Sequence, residues 1–370
     1  MINPSHWAAD HVERIRGRTI SELPCITDAD VIPVKEGVGF WDAWPVQQYD
    51  GVPAKVSGGR EVWMALGAPR ADDPDERHQH ARIHLLQRCG KRWEHLGPAM
   101  PDGFSPGSRE WSGSAVLNPH DMTVTLYFTA AGRRGEAAPS FEQRLFAADA
   151  KLVLDDGGPR LMDWRALREI VALDPRHYMP TDRGIGEVGK IKAFRDPAFF
   201  LDPTTDHEYL FFAGSIANST SAYNGAVGVA RRESRSSRWE LCPPVVSADG
   251  LNNELERPHV IRHADLYYLF WSTQRHVFEP ACARGPTGLY GMVSSNLLEG
   301  WRPLNGTGLV FANPESAPAQ AYSWLVLPDL SVASFVDNWG GGAVRRFGGT
   351  FAPFVRLSLS GDEAWLQGPA

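Results

Sequence analysis

The stretch RWEHLGP (residues 92–98) returns as RWELCPP (238–244) and, more loosely, as GWRPLNG (300–306), each time after an apolar stretch and a short turn. With two further indoles this places five tryptophans, Trp93, Trp164, Trp239, Trp301 and Trp365, at intervals of roughly 60–75 residues. One four-stranded sheet with its loops needs about that much chain, and radial repetition of such sheets yields a recurring period. Unrelated core indoles would also satisfy the spacing, so the segments between them decide the matter.

Those segments read as strands. REVWMALGA (from Arg60), MTVTLYFTAA (from Met122), EYLFFAGSIA (from Glu208), LYYLFWSTQ (from Leu266) and LSVASFVDN (from Leu330) are rich in β-branched and aromatic residues. They are separated by Gly, Pro and Asp turns, which makes an all-β chain the expectation. Only DWRALREIVAL (163–173) reads as helical over two or more turns. No linker or low-complexity segment interrupts the chain. We therefore expect one domain over residues 1–370, with residues 1–30 as an irregular or helical lead-in.

Composition narrows the function classes. Of 370 residues, 43% are apolar and 22% charged, as in ordinary soluble globular proteins. The formal charge of −7 comes without a basic block, which argues against nucleic acid as a partner. No run of 18 apolar residues is present, so no membrane-spanning helix is expected. The start, MINPSHWAADHVERIRG, has no apolar signal core, so a cytoplasmic location or signal-independent export is the expectation. The cysteines, Cys25, Cys89, Cys242 and Cys282, are scattered without C-x-x-C spacing, so four buried free thiols are expected rather than disulfides or a zinc site. The chain carries 13 Trp, and about half suffice for the core on general burial grounds; the others are available to stack on sugar rings.

Two motifs carry little. GIGEVG (184–189) has the G-x-G-x-x-G form but follows HYMPTDR rather than a strand and leads into no helix. HQHARIH, with His78, His80 and His84, sits beside the polar ADDPDER, so surface histidines are expected rather than a metal site. Three acidic segments carry more. GFWDAWPVQ (39–47) sets Asp42 between Trp41 and Trp44, FRDPAFF (194–200) sets Asp196 beside Arg195, and NNELERPHVI (252–261) carries Glu254 and Glu256 beside Arg257. Residues two apart on a strand share a face, so Glu254 and Glu256 project together and raise each other's proton affinity. Each acid alone also fits an ion-paired structural role. Glycosyl transfer through an oxocarbenium-like transition state requires such a set, with one ionised nucleophile and one protonated acid.

In family order, FWDAWPVQ, EWSGSAV (110–116), FRDPAFF, ELERPHVI, GPTGLYGMVS, PLNGTGLVFANP, QAYSWLV and FGGTFAP resemble the motif series of the levansucrases, inulosucrases and β-fructofuranosidases of glycoside hydrolase family 68. The likeness runs from about residue 38 to residue 360 and is greatest to compact bacterial members. It implies a five-bladed β-propeller with a central acidic pocket. It implies that Asp42 is the nucleophile, Asp196 the transition-state stabiliser and Glu256 the general acid/base. It further implies that Trp41, Trp111, Ser112 and Arg195 shape a sucrose pocket, that Arg257 beside the acid/base is a substrate-binding residue, and that Glu254 and Tyr322 orient the glucosyl part or support Glu256.

In one place the sequence departs from the resemblance. Where family members carry an Arg or His toward the glucosyl unit, WSTQRHVFEP (271–280) places Gln274, with Arg275 and His276 next; a one-residue shift would place Arg275 there instead. An amide hydrogen-bonds a sugar but supplies no positive charge. The implied activity is a retaining fructosyl transfer from sucrose to a fructan or oligosaccharide acceptor or to water, with no cofactor and no metal. The rivals are a mainly hydrolytic β-fructofuranosidase and a silent carbohydrate-binding propeller.

Overall fold

The computed structural model describes residues 3–155, 157–181, 191–340 and 345–368; GIGEVG lies outside them. Among the described residues the strands form five successive antiparallel meanders, each running in chain order from a first to a fourth strand. The first comprises Val38–Gln47, Arg60–Pro69, Arg82–Cys89 and Arg92–Pro98, and the second Arg109–Asn118, Thr123–Ala131, Gln143–Asp155 and Gly158–Val171. The third comprises Phe194–Leu201, Glu208–Ser215, Gly225–Arg232 and Glu240–Ser247. The fourth runs through Glu256–His263, Leu266–Thr273, Gly288–Ser294 and Arg302–Pro303, and the fifth through Ala321–Val326, Ser331–Val336, Val355–Ser360 and Glu363–Leu366. The first strands of meanders one and two also pair in parallel, Val46 with Ala115 and Gln47 with Val116, which merges those two into one sheet.

The chain is all-β, and the five stretches read as strands are strands. The repeated tryptophans mark the fourth strands: Trp93, Trp164 and Trp365 lie within them, and Trp239 and Trp301 directly precede them.

The helical expectation for residues 163–173 is wrong, because Gly158–Val171 is an edge strand. Its ladder slips between Met162 and Arg165, between Arg165 and Arg168, and between Glu169 and Val171, with Asp163 and Ala166 at positive φ. A bulge every three residues re-phases the strand. Leu161, Trp164, Leu167 and Ile170 are then the partly buried positions along it, an i, i+3 spacing that mimics a helix. The cysteines are free thiols, but only Cys242 is buried, so the expectation of four buried thiols fails at Cys25, Cys89 and Cys282. His84 is half-buried with Nδ1 2.9 Å from His95 Nε2, whereas His78 and His80 are exposed.

The first strands share one irregularity. Each carries a one-residue bulge near its start, between Trp41 and Trp44, Trp111 and Gly113, Arg195 and Ala198, Glu256 and His259, and Tyr322 and Leu325. Four of the bulges hold a non-glycine residue at positive φ: Asp42 (50°), Asp196 (63°), Arg257 (49°) and Ser323 (61°). The other uses Gly113, where a Cβ would lie 1.9 Å from the Tyr127 carbonyl oxygen. A bulge breaks the alternation of the strand and re-aims the side chains beside it.

The lead-in binds the later meanders together. Ser5–His6 adds a parallel strand beside Val246 and Ser247. Trp7 is buried against Trp271, Phe278 and Tyr290, and its indole N–H donates to Thr307 O at 2.9 Å. Truncating a fully buried indole removes its contacts and leaves a cavity. Trp7→Ala is therefore expected to lower stability by about 3–5 kcal/mol, read as a reduced midpoint in urea or thermal denaturation.

Candidate active site

The bulges bring the acidic residues of three meanders together. Ser112, on the second meander, donates to Asp42 Oδ2 at 2.7 Å. Arg195 donates from Nη2 to Glu256 Oε1 at 2.8 Å, and its Nε lies 3.7 Å from Asp196 Oδ2. The Tyr322 hydroxyl donates to the other Glu256 oxygen, Oε2. The Asp196 N–H donates at 2.9 Å to Thr129 Oγ1, whose hydroxyl donates to Ser112 O at 3.2 Å. The Asp42 and Asp196 bulges are thus cross-tied through the second meander.

Electrostatics separates the groups. Burial pushes the Asp196 carboxyl up to about 7; Arg195 opposes this, while the Glu256 and Asp42 charges add to it. Burial and then the Glu256 charge raise the proton affinity of Glu254, against the pull of Arg195, Asn253 and Lys192. Burial also holds the Tyr322 hydroxyl protonated, with Glu256 reinforcing it, as its donor role requires. For Arg195 burial acts against the charge, but Glu256, Asp196 and Glu254 together raise its pKa, so it stays a fixed cation. Arg195 Nη1 is buried and has no hydrogen-bond partner among the described residues. A buried guanidinium N–H without a partner is a donor awaiting an oxygen.

The remaining residues named from the sequence divide by exposure. Asp42, Glu256 and Trp111 are partly exposed, while Trp41 and Trp44 are each only 2% exposed. Trp111 is therefore the most exposed indole of the three, with the Arg109 guanidinium 5.7 Å from its ring. Arg257 is buried and fully engaged by protein: Nη2 donates to Ala43 O at 2.8 Å and Nη1 to Ser323 Oγ at 2.9 Å, with Trp44 against its plane at 5.9 Å. It is a strut between the first, fourth and fifth meanders. Behind Asp196 and Arg257 a cavity of about 460 Å³ opens toward the far ends of the first strands, bounded by Tyr49, Phe199 and Val326 among others.

Gln274 caps a short 3-10 turn, Arg275–Val277, and its carbonyl accepts from Val277 N. Arg275 turns outward to Arg284 O at 3.1 Å. The ring of His276 is the one of the three that feels the site: burial lowers its pKa, and the Glu256 and Asp337 charges oppose this. Sequence reasoning centred on Gln274 and named His276 only as its neighbour, because a 3-10 turn breaks the period-two alternation.

Sequence reasoning also missed a rim built by the turn Pro74–Gln79. Arg77 is buried with its guanidinium 4.4 Å from the Phe347 ring and 5.5 Å from Trp41, and His78 meets Trp41 edge-on at 5.8 Å. Arg345 bridges Asp75, at 2.7 Å, and Asp337, at 3.4 Å, tying that rim to the fifth meander. A surface-like run, ADDPDER, gave no signal of this, since Asp75 pairs with Arg345 and Arg77 packs on Phe347, both from a distant part of the chain.

A family profile described as levansucrase/invertase, glycoside hydrolase family 68, matches residues 2–226 and 218–368. A levansucrase of Zymomonas mobilis is 31% identical over 99% of this chain and 91% of its own length, and one of Rahnella aquatilis is 29% identical over 98% and 94%. Among solved structures, an inulosucrase from Halalkalicoccus jeotgali bound to kestose superposes with a TM-score of 0.89 and 34% identity, covering 99% of this chain and 96% of that one. A levansucrase from Gluconacetobacter diazotrophicus, at 24% identity and a TM-score of 0.85, shares the fold over 99% of this chain and 90% of its own. By the profile, the relatives and the fold alike, the chain belongs to glycoside hydrolase family 68.

Proposed function

We propose that this protein is a retaining, sucrose-dependent fructosyltransferase, and that its five meanders are the blades of a five-bladed propeller whose axis holds the acidic site. One observation carries the reading. Carboxylates from three different meanders meet at strand bulges, Asp196 and Glu256 joined through Arg195, with Ser112 and Tyr322 each holding one oxygen of Asp42 and Glu256.

The roles follow from the environments. Asp42, held by one hydroxyl and partly exposed, attacks the anomeric carbon of the fructosyl unit. As that bond forms, the glycosidic C–O bond breaks and the proton of Glu256 passes to the departing glucosyl oxygen. In the second step Glu256 takes a proton from water or an acceptor hydroxyl, whose oxygen attacks the same carbon and releases Asp42. Asp196 lies against Arg195 where fructosyl hydroxyls gather. Its hydrogen bonds accelerate the reaction to the extent that they strengthen as charge develops on the ring. Trp111 offers an indole face to the sugar, and the unpartnered Arg195 Nη1 offers a donor. His276 and Glu254 flank Glu256 on the side that receives the glucosyl group and then the acceptor. The sucrose linkage supplies the transfer potential, so no cofactor takes part.

The deciding experiment is a sucrose time course that quantifies glucose and free fructose separately. Glucose in excess of fructose, with the balance recovered as fructo-oligosaccharide or levan, is expected. Equal amounts throughout would mean a hydrolase, and no glucose would sink the sucrose reading in favour of a binding propeller.

Asp42→Asn is expected to cut turnover by about 10⁴-fold while sucrose still binds, since only the nucleophile is lost. Retained turnover would show that another group attacks.

Asp196 also has a stability signature. Its folded pKa of about 7 stands above the ordinary value of 3.8, so the folded state binds the proton more tightly than the unfolded chain. The resulting stabilisation is full below the ordinary value and is lost as pH rises through the folded one, at up to about 1.4 kcal/mol per pH unit. Asp196→Asn removes this dependence. The variant's melting temperature is expected to gain on the wild type's as pH rises from about 4 to 7, and parallel profiles would refute the buried, proton-holding carboxyl.

A further inference from the structure

Lys192 stands two residues before the first strand of the third meander and is buried. Its ammonium donates to Ala222 O at 2.5 Å, to Asn224 Oδ1 at 2.6 Å and to Asn253 Oδ1 at 2.8 Å, so its three donors meet three neutral acceptors. Taking an ammonium out of water is costly, and a neutral side chain would fill a purely structural position more cheaply. The direction of its contacts accounts for the charge.

Asn253 is the hinge of the arrangement. Its Oδ1 accepts from the Lys192 ammonium, its Nδ2 donates to Ile191 O at 3.1 Å, and its backbone N–H donates at 3.0 Å to Val277 O, in the turn that carries His276. The next residue is Glu254, whose own N–H donates at 2.8 Å to Asn252 Oδ1, while Asn252 Nδ2 reaches Thr273 Oγ1 at 2.9 Å. The segment is seated so closely that a Cβ on Gly225 would lie 2.8 Å from the Asn253 carbonyl carbon. Two of the groups that flank Glu256 are therefore registered through this segment, Glu254 by its place next to Asn253 and its bond to Asn252 and His276 through the Asn253–Val277 bond, and Asn253 is fixed by one ammonium.

We infer that Lys192 is a positioning residue for the leaving-group and acceptor side of the site: its ammonium sets Asn253, and Asn253 sets both Glu254 and the turn bearing His276. The inference rests on the reading of the site given above. It acts on the binding of the departing glucose and the incoming acceptor, not on attack by Asp42. Its charge has a second effect, because Lys192 favours the ionised form of Glu254. The other groups facing that carboxyl are Glu256, Arg195, Asn253 and Tyr322.

The test compares the wild type, Lys192→Met and Asn253→Ala in the full chain, measuring sucrose kcat and KM from pH 4 to 9 together with the glucose to free fructose ratio. Lys192→Met is expected to raise KM about tenfold with kcat within about threefold, and to change the product ratio. It also moves the alkaline limb of kcat/KM to higher pH, since the cation that favours the carboxylate is gone. Asn253→Ala keeps the cation and cuts the tie, so KM rises while the limb stays in place. An unchanged KM and product ratio in both variants, or a loss confined to kcat, would overturn the inference. Should Lys192→Met fail to fold, Asn253→Ala decides: a raised KM sustains the inference and an unchanged KM overturns it. Absence of glucose release by the wild type would instead overturn the fructosyltransferase reading, and the inference with it.

Discussion

Everything at the site depends on a backbone constraint: one extra residue in each meander's first strand, at the same level. A regular strand would send neighbouring side chains to opposite faces, one into the sheet packing and the other away from it. The bulge turns that rule aside, at a cost of about 1–2 kcal/mol for each L-residue held in the left-handed region. Asp42 and Asp196 occupy that region themselves, whereas in the fourth and fifth meanders Arg257 and Ser323 occupy it and leave Glu256 and Tyr322 beside them. Ladders on either side of each bulge hold the strain. The same device thus aims Asp42, Glu256, Asp196 and Tyr322 at a common volume from separate segments of chain.

Charge balance is the second constraint. Asp42, Asp196, Glu254 and Glu256 would repel one another if ionised and unopposed, and Arg195 is the cation that permits their assembly. It contacts Glu256 directly and Asp196 more loosely, so the two carboxyls experience different fields. A lysine at this position would provide a point charge but could not span both acids, because it lacks the planar fork. Arg257 has a different task. It is buried as deeply and spends its donors on the carbonyl and hydroxyl of neighbouring first strands, so it fixes their spacing while its charge still faces Asp42, Asp196 and Glu256.

Much of this was legible in the sequence where local rules and tertiary structure agree. The strands announced themselves through β-branched and aromatic runs. The acids stood out because aromatic and proline-bounded segments are unusual settings for a carboxylate. What stayed hidden depends on contacts far apart in the chain. The strand at residues 158–171 passed for a helix because repeated bulges convert period two into period three. Arg257 lies in the middle of a motif, yet its partners are Ala43 and Ser323, which no local pattern reveals. His276 was named only as a neighbour of Gln274 because its place is set by a short turn anchored on Asn253. Arg77 and Asp75 read as solvated polar residues because their partners, Phe347 and Arg345, come from the other end of the chain.

The order of the strands has a consequence for how the molecule comes into being. Within each meander, consecutive strands pair with one another, so each ladder closes over a short length of chain and its contact order is low. Such units can form early and separately. The chemistry has no such locality: Asp42 and Tyr322 are separated by most of the sequence, and Glu256 is held from the third and fifth meanders at once. A chain with all its sheets formed but not yet docked would possess nearly all of its backbone hydrogen bonds and none of its catalytic power. Recovery of activity after refolding therefore times the docking of the sheets rather than their formation, and a proteolytic nick between meanders would spare the ladders while dissolving the site.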